Sequence, residues 1–114
     1  MVLDDIEVLH IDDEPDFADL AATYLERESN RITVTTATSV PDGINQLTGE
    51  IDCVISDYDM PERNGIELLE TVRKEYPDLP FILYTGKGSE EVASEAITAG
   101  VTDYLQKGYG PEQY

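Results

Sequence analysis

The sequence predicts an α/β protein: a doubly wound, five-stranded parallel sheet with helices on both faces. Strand-like and helix-like segments alternate along the whole chain, which is the pattern of successive β-α units. Runs such as FILY and CVI are almost continuously apolar, as expected of strands buried on both sides. Right-handed crossovers between parallel strands then wind the helices onto the two faces. The chain has 114 residues, of which 40% are hydrophobic, enough for one domain with a modest core.

Each element has its own signal. Glu7–Ile11 is an apolar strand, and Pro15–Glu28 is an amphipathic helix with proline at its start. Ile32–Thr36 is rich in β-branched residues and reads as a strand. Val40–Leu47 is a weaker helix, interrupted by Gly43. Asp52–Ser56 is a strand, and Gly65–Tyr76 is a helix stopped before Pro77. Pro80–Tyr84 is a strand, Glu90–Ala99 a helix closed by Gly100, and Thr102–Gln106 the last strand. Gly110-Pro111-Glu112 reads as a loop entering a further helix, so a final covering helix is expected to be cut short and the chain to be an N-terminal piece of a longer protein.

Seven basic residues face 25 acidic ones, for a net charge of −18. This argues against direct nucleic-acid binding, which needs a basic patch. Self-repulsion of this size is relieved by salt, so a halophilic source is expected, with an ordinary acidic cytosolic domain as the alternative. No apolar run approaches the roughly 18 residues of a membrane span, and MVLDDIEVLH lacks the pattern of a signal peptide. The single cysteine, Cys53, excludes an intrachain disulfide and fits a small buried hydrophobe. The expectation is a cytoplasmic domain with no membrane contact.

Chemistry gathers where strands end. Asp12 and Asp13 follow the first strand, Asp57 the third, Thr85 the fourth and Lys107 the fifth. In a parallel doubly wound sheet these carboxyl ends converge, and ligands bind there. Clustered carboxylates raise one another's pKa unless a cation sits among them, and a hard oxygen set suits Mg²⁺ with a phosphate oxygen. A carboxylate also attacks phosphorus to give an acyl phosphate. Asp57, alone at the end of a central strand, is the best nucleophile, with Lys107 as a point charge and the Thr85 hydroxyl as a donor to a phosphoryl oxygen.

Over almost its whole length the chain resembles the receiver domains of two-component response regulators. The residues that carry the resemblance are Asp12-Asp13, Asp57 with Met60-Pro61 and Gly65, Thr85-Gly86, and Tyr104-Leu105-Gln106-Lys107. The resemblance implies a flavodoxin-like sheet of order 2-1-3-4-5. It implies phosphorylation of Asp57 by a sensor histidine kinase or a phosphotransfer protein, and Mg²⁺ held by Asp12, Asp13, Asp57 and the backbone carbonyl of Asp59, with Asp13 and Asp57 as direct ligands. Thr85 and Lys107 would read the phosphoryl group, and the Tyr104 rotamer would follow Thr85. The surface near the fourth helix and fifth strand would then change for a downstream output domain or partner, or for a phosphorylation-dependent homodimer. Asp59 and Lys87 occupy the positions that flank hydrolytic water in the family, and their pairing would slow dephosphorylation. The family usually has proline after the lysine, where this chain has Gly108. Only self-phosphorylation and autodephosphorylation are expected, not turnover of an external substrate.

Blander readings stand beside these. Asp13 before Glu14-Pro15 fits a helix N-cap. Tyr104 on an apolar strand fits the core as well as a switch. His10 is expected to be a packed core residue. Thr85-Gly86-Lys87-Gly88-Ser89 lacks the spacing of a phosphate-binding P-loop. Asp57-x-Asp59 resembles the motif of haloacid-dehalogenase-type phosphatases, but it lies mid-chain and leaves the upstream acidic pair unexplained. A phosphate-independent interaction module with the same fold is the other alternative.

Overall fold

The computed structural model describes residues 5–86 and 90–106. The chain runs β1 (Ile6–Ile11), α1 (Pro15–Glu28), β2 (Ile32–Ala37), α2 (Val40–Gln46), β3 (Cys53–Ser56), α3 (Gly65–Glu75), β4 (Phe81–Thr85), α4 (Glu90–Ala99) and β5 (Asp103–Gln106). The strands form one parallel sheet in the order β2-β1-β3-β4-β5, the order that the family resemblance implies. Lys87, Lys107, Gly108 and the anticipated final helix lie outside the described residues.

One face of the sheet carries the core. Leu9 pairs with Val54, and Val54 with Phe81, so the three side chains point the same way. They meet Ile66, Leu68, Leu69 and Val72 of α3, Val40 of α2 and Ala96 of α4. Full burial of such side chains is worth about 1.5–3 kcal/mol each. Gly43, read from the sequence as a weak point of α2, is buried against the sheet. A Cβ there would stand 2.8 Å from Ile11 Cγ1, so the missing side chain lets the helix approach.

The other face is covered less. His10 is buried, with its ring edge-on to Phe17 of α1 at 6.3 Å. Ile55, Ile82 and Tyr84 are only half-buried, where the sequence suggested strands buried on both sides. They floor an apolar groove of about 620 Å³, walled by Leu20 and Tyr24 of α1 and Leu105 of β5. Among the described residues, α1 supplies the cover of this face.

Helix ends follow local chemistry. In α3, Asn64 and Glu67 form a capping box, each side chain accepting from the other's backbone N–H at 3.0 Å. The helix stops at Glu75, before Pro77. Gly100, at φ 95°, turns the chain out of α4, a conformation that costs little only for glycine. Arg73 ties these ends together. It donates from Nε to the Gly100 carbonyl (2.9 Å) and from Nη1 to the Leu79 carbonyl (2.7 Å) and the Tyr76 carbonyl (3.2 Å). No helix among the described residues is long and apolar enough to cross a membrane.

Candidate functional site

The site stands on strand register. Ile11 pairs with Ser56, so the residues that follow β1 and β3 leave the sheet side by side. The Asp57 N–H donates to the Ile11 carbonyl (2.9 Å) and the Asp12 N–H to the Ala37 carbonyl (3.0 Å), which anchors both backbones at the sheet edge. Asp12 is wholly buried, Asp57 nearly so and Asp13 half-buried. Carboxylate oxygens of all three lie within 4.8 Å of one another.

This donor set fits a small divalent cation. Opposed oxygen ligands of one Mg²⁺ are about 4.2 Å apart, so direct ligation by two of the carboxylates, with the third reached through water, accommodates the observed spread. Without a cation the cluster is strained electrostatically. The Asp13 carboxyl is pushed above its ordinary value, first by burial, then by the charge of Asp12, with Asp57 and Asp59 adding to it; its own backbone N–H acts the other way.

Hydrogen bonds fix two of the carboxylates. Asp57 Oδ1 accepts from the Tyr58 N–H at 2.8 Å, and Asp12 Oδ1 accepts from the Glu14 N–H at 2.9 Å. The cap position of α1 is Glu14, with Pro15 opening the helix, so Asp13 is not the N-cap that its place before Glu14-Pro15 suggested. The Asp12 side chain accepts from the Glu14 N–H just ahead of the helix, and the Asp13 carboxylate lies in the cluster.

Thr85 closes β4 and is buried; the strand extends one residue further than the sequence indicated because Thr85 pairs with Gln106. Tyr104 pairs with Leu83 and packs partly buried against the core. Asp59 is exposed in the loop between β3 and α3. Cys53 is half-buried, with burial and then Asp52 pushing its thiol up.

Sequence reasoning did not single out three features beside Asp57. Ser56 is fully buried, and its Oγ donates to the Asp57 carbonyl at 2.8 Å. Gly65, which opens α3 and carries part of the resemblance, has its Cα against the same carbonyl. Glu62 holds φ 72° in the loop, a conformation that a glutamate does not announce. The Asn64-x-x-Glu67 spacing is the sequence mark of the capping box.

Comparison with known proteins agrees with this geometry. The family described as response regulator receiver domain matches residues 8–114. The response regulator SaeR of Staphylococcus aureus (strain USA300) is 37% identical over 106 residues, covering 93% of this chain and 46% of SaeR. The chain thus spans less than half the length of that relative. A CheY-like receiver domain protein from Methanospirillum hungatei JF-1 superposes with a TM-score of 0.85 at 27% identity, over 96% of this chain and 86% of that one. TrrA of Thermotoga maritima, solved in complex with Mg²⁺–BeF, superposes with a TM-score of 0.82 at 26% identity, over 95% of this chain and 91% of that one. With its parallel sheet, its acidic cluster and a family match over nearly its full length, this chain belongs to the response regulator receiver domain family.

Proposed function

We propose that this domain is a phosphorylation switch in which Asp57 accepts a phosphoryl group from a histidine kinase or phosphotransfer protein. The observation that carries the reading is the convergence of Asp12, Asp13 and Asp57 within 4.8 Å at the ends of two paired strands. An Asp57 carboxylate oxygen attacks phosphorus as the bond from phosphorus to the donor breaks; the electron pair leaves with the donor, and an acyl phosphate forms. The Tyr58 N–H holds one oxygen of Asp57 and so sets the direction of the carboxylate. Mg²⁺, when bound, neutralises the carboxylates and the phosphoryl oxygens. Asp13, Asp57 and the Asp59 carbonyl would hold it, with Asp12 through water. Lys107 would add a fixed positive charge.

Thr85 would donate to the bound phosphoryl group and draw toward it, and Tyr104 would fill the space left behind. That is a shift between two packings of the α4–β5 surface, biased by a local charge. Asp59 and Lys87 would tune how fast water removes the phosphoryl group. The chemistry is confined to the domain's own phosphorylation and dephosphorylation.

The wider reading is of a cytoplasmic receiver domain from a halophilic organism, acting on an output domain or partner. A phosphorylation-dependent homodimer is the proposed assembly.

Mg²⁺-dependent binding of beryllofluoride, followed by calorimetry in molar salt, tests this reading. Saturable binding with near one-to-one stoichiometry, abolished in Asp57→Asn, is the expected result. Absence of binding in the folded protein would favour the phosphate-independent module.

A further inference from the structure

We propose that Ser56 and Gly65 are positioning residues for Asp57: together they fix the Asp57–Tyr58 peptide, and through it the direction of the phosphoacceptor carboxylate. The inference rests on the reading of Asp57 as phosphoryl acceptor.

The peptide between Asp57 and Tyr58 is engaged at both ends. Its N–H, that of Tyr58, donates to Asp57 Oδ1 at 2.8 Å. Its C=O, that of Asp57, accepts from Ser56 Oγ at 2.8 Å. Any rotation of the peptide plane that moved the carbonyl would swing the N–H away from the carboxylate and release its rotamer.

Ser56 is a fully buried hydroxyl on β3, with apolar Ile11 and Leu83 as its register partners. Alanine would fill such a position without burying a polar group. What the hydroxyl adds there is its hydrogen bond to the Asp57 carbonyl.

Gly65 acts on the same oxygen from the other side. A Cβ on Gly65 would stand 2.2 Å from the Asp57 carbonyl oxygen and 2.8 Å from Leu83 Cδ1. The leucine tip can turn away, but the carbonyl belongs to the backbone that carries the acceptor. Nor can α3 easily retreat. The Gly65 N–H donates to the Tyr58 carbonyl at 2.9 Å, the capping box fixes the helix start, and Ile66 and Leu69 are buried beneath it. Any side chain at residue 65 must therefore displace the Asp57–Tyr58 peptide or tilt the helix.

The test compares Ser56→Ala, Gly65→Ala, Val72→Ala and the natural protein. Val72 is a buried core residue of α3, remote in role from the site, and supplies a stability control. Phosphorylation by acetyl phosphate is followed by intact mass at saturating Mg²⁺, well below every melting temperature, and Mg²⁺ affinity is measured separately. The expected result is a maximal rate constant lowered about 10-fold in Ser56→Ala and up to about 100-fold in Gly65→Ala, with an unchanged half-saturating acetyl phosphate concentration. Val72→Ala melts lower and reacts at the natural rate. Rates in Ser56→Ala and Gly65→Ala no lower than in Val72→Ala overturn the proposal; if Gly65→Ala does not fold, Ser56→Ala alone decides. A natural protein that takes up no phosphoryl group overturns the acceptor reading instead. Positioning is then read from Mg²⁺ affinity, which must weaken in both site variants but not in Val72→Ala; equal affinities overturn it.

Discussion

Thr85 and Tyr104 lie on the same face of adjacent strands, diagonal to each other: Tyr104 pairs with Leu83, and Thr85 with Gln106. The Tyr104 ring packs against the core, and its hydroxyl is buried with no hydrogen-bond partner among the described residues. A buried hydroxyl without an acceptor costs about 1–3 kcal/mol. Tyr104→Phe removes that cost and keeps the ring. Its melting temperature is expected to rise by a few degrees, as about 1 kcal/mol would produce in a domain of this size. A lower melting temperature would mean that the hydroxyl is satisfied in solution.

Asp13 predicts a trade between stability and metal binding. Its folded carboxyl titrates above its unfolded value, so the folded state holds the proton more tightly. Above the raised folded value the ionised group is a net cost to the fold, and that cost fades as pH falls through it. In EDTA at neutral pH, Asp13→Asn is expected to melt higher than the natural protein, with a gain that shrinks on acidification. Added Mg²⁺ should raise the melting temperature of the natural protein and leave the variant almost unmoved. Equal responses of the two proteins to Mg²⁺ would remove Asp13 from the ligand set.

Arg73 joins the end of α3 to the turn after α4 through three backbone carbonyls. Arg73→Ala is expected to lower unfolding free energy by about 2 kcal/mol in urea, since charge-assisted bonds of this kind are partly exposed here. Arg73→Lys should recover only part, because one ammonium cannot reach all three acceptors with the guanidinium's spread. Full recovery by lysine would show that charge, not geometry, is what counts.

The net charge of −18 leads to a salt dependence. Raising KCl from 0.1 M to molar concentrations shortens the screening length from about 10 Å to about 3 Å. The melting temperature should climb steadily across that range. A flat profile would remove the case for a halophilic origin.

How far the sequence reached depended on the kind of signal. Alternating apolar segments placed the strands and helices to within a residue or so, and strand order together with register brings Asp12, Asp13 and Asp57 together from distant parts of the chain. Periodicity encodes the elements; the strand order is what the resemblance implies. Approaches between backbone atoms are not encoded in that way. Gly65 reads in sequence as a helix start, and only three-dimensional contact reveals the Asp57 carbonyl against its Cα. Ser56 reads as the polar end of a strand, and Glu62 as an ordinary loop acid despite its φ of 72°. Gly43 reads as an interruption of α2, yet it lets the helix reach Ile11.

The most direct measurement is the intact mass of the protein after incubation with Mg²⁺ and acetyl phosphate in high salt, beside Asp57→Asn. One added phosphoryl group in the natural protein, absent from the variant and absent in EDTA, is the expected result. An adduct that persists in Asp57→Asn, or steady phosphate release without any adduct, would contradict Asp57 as the acceptor of a signalling switch.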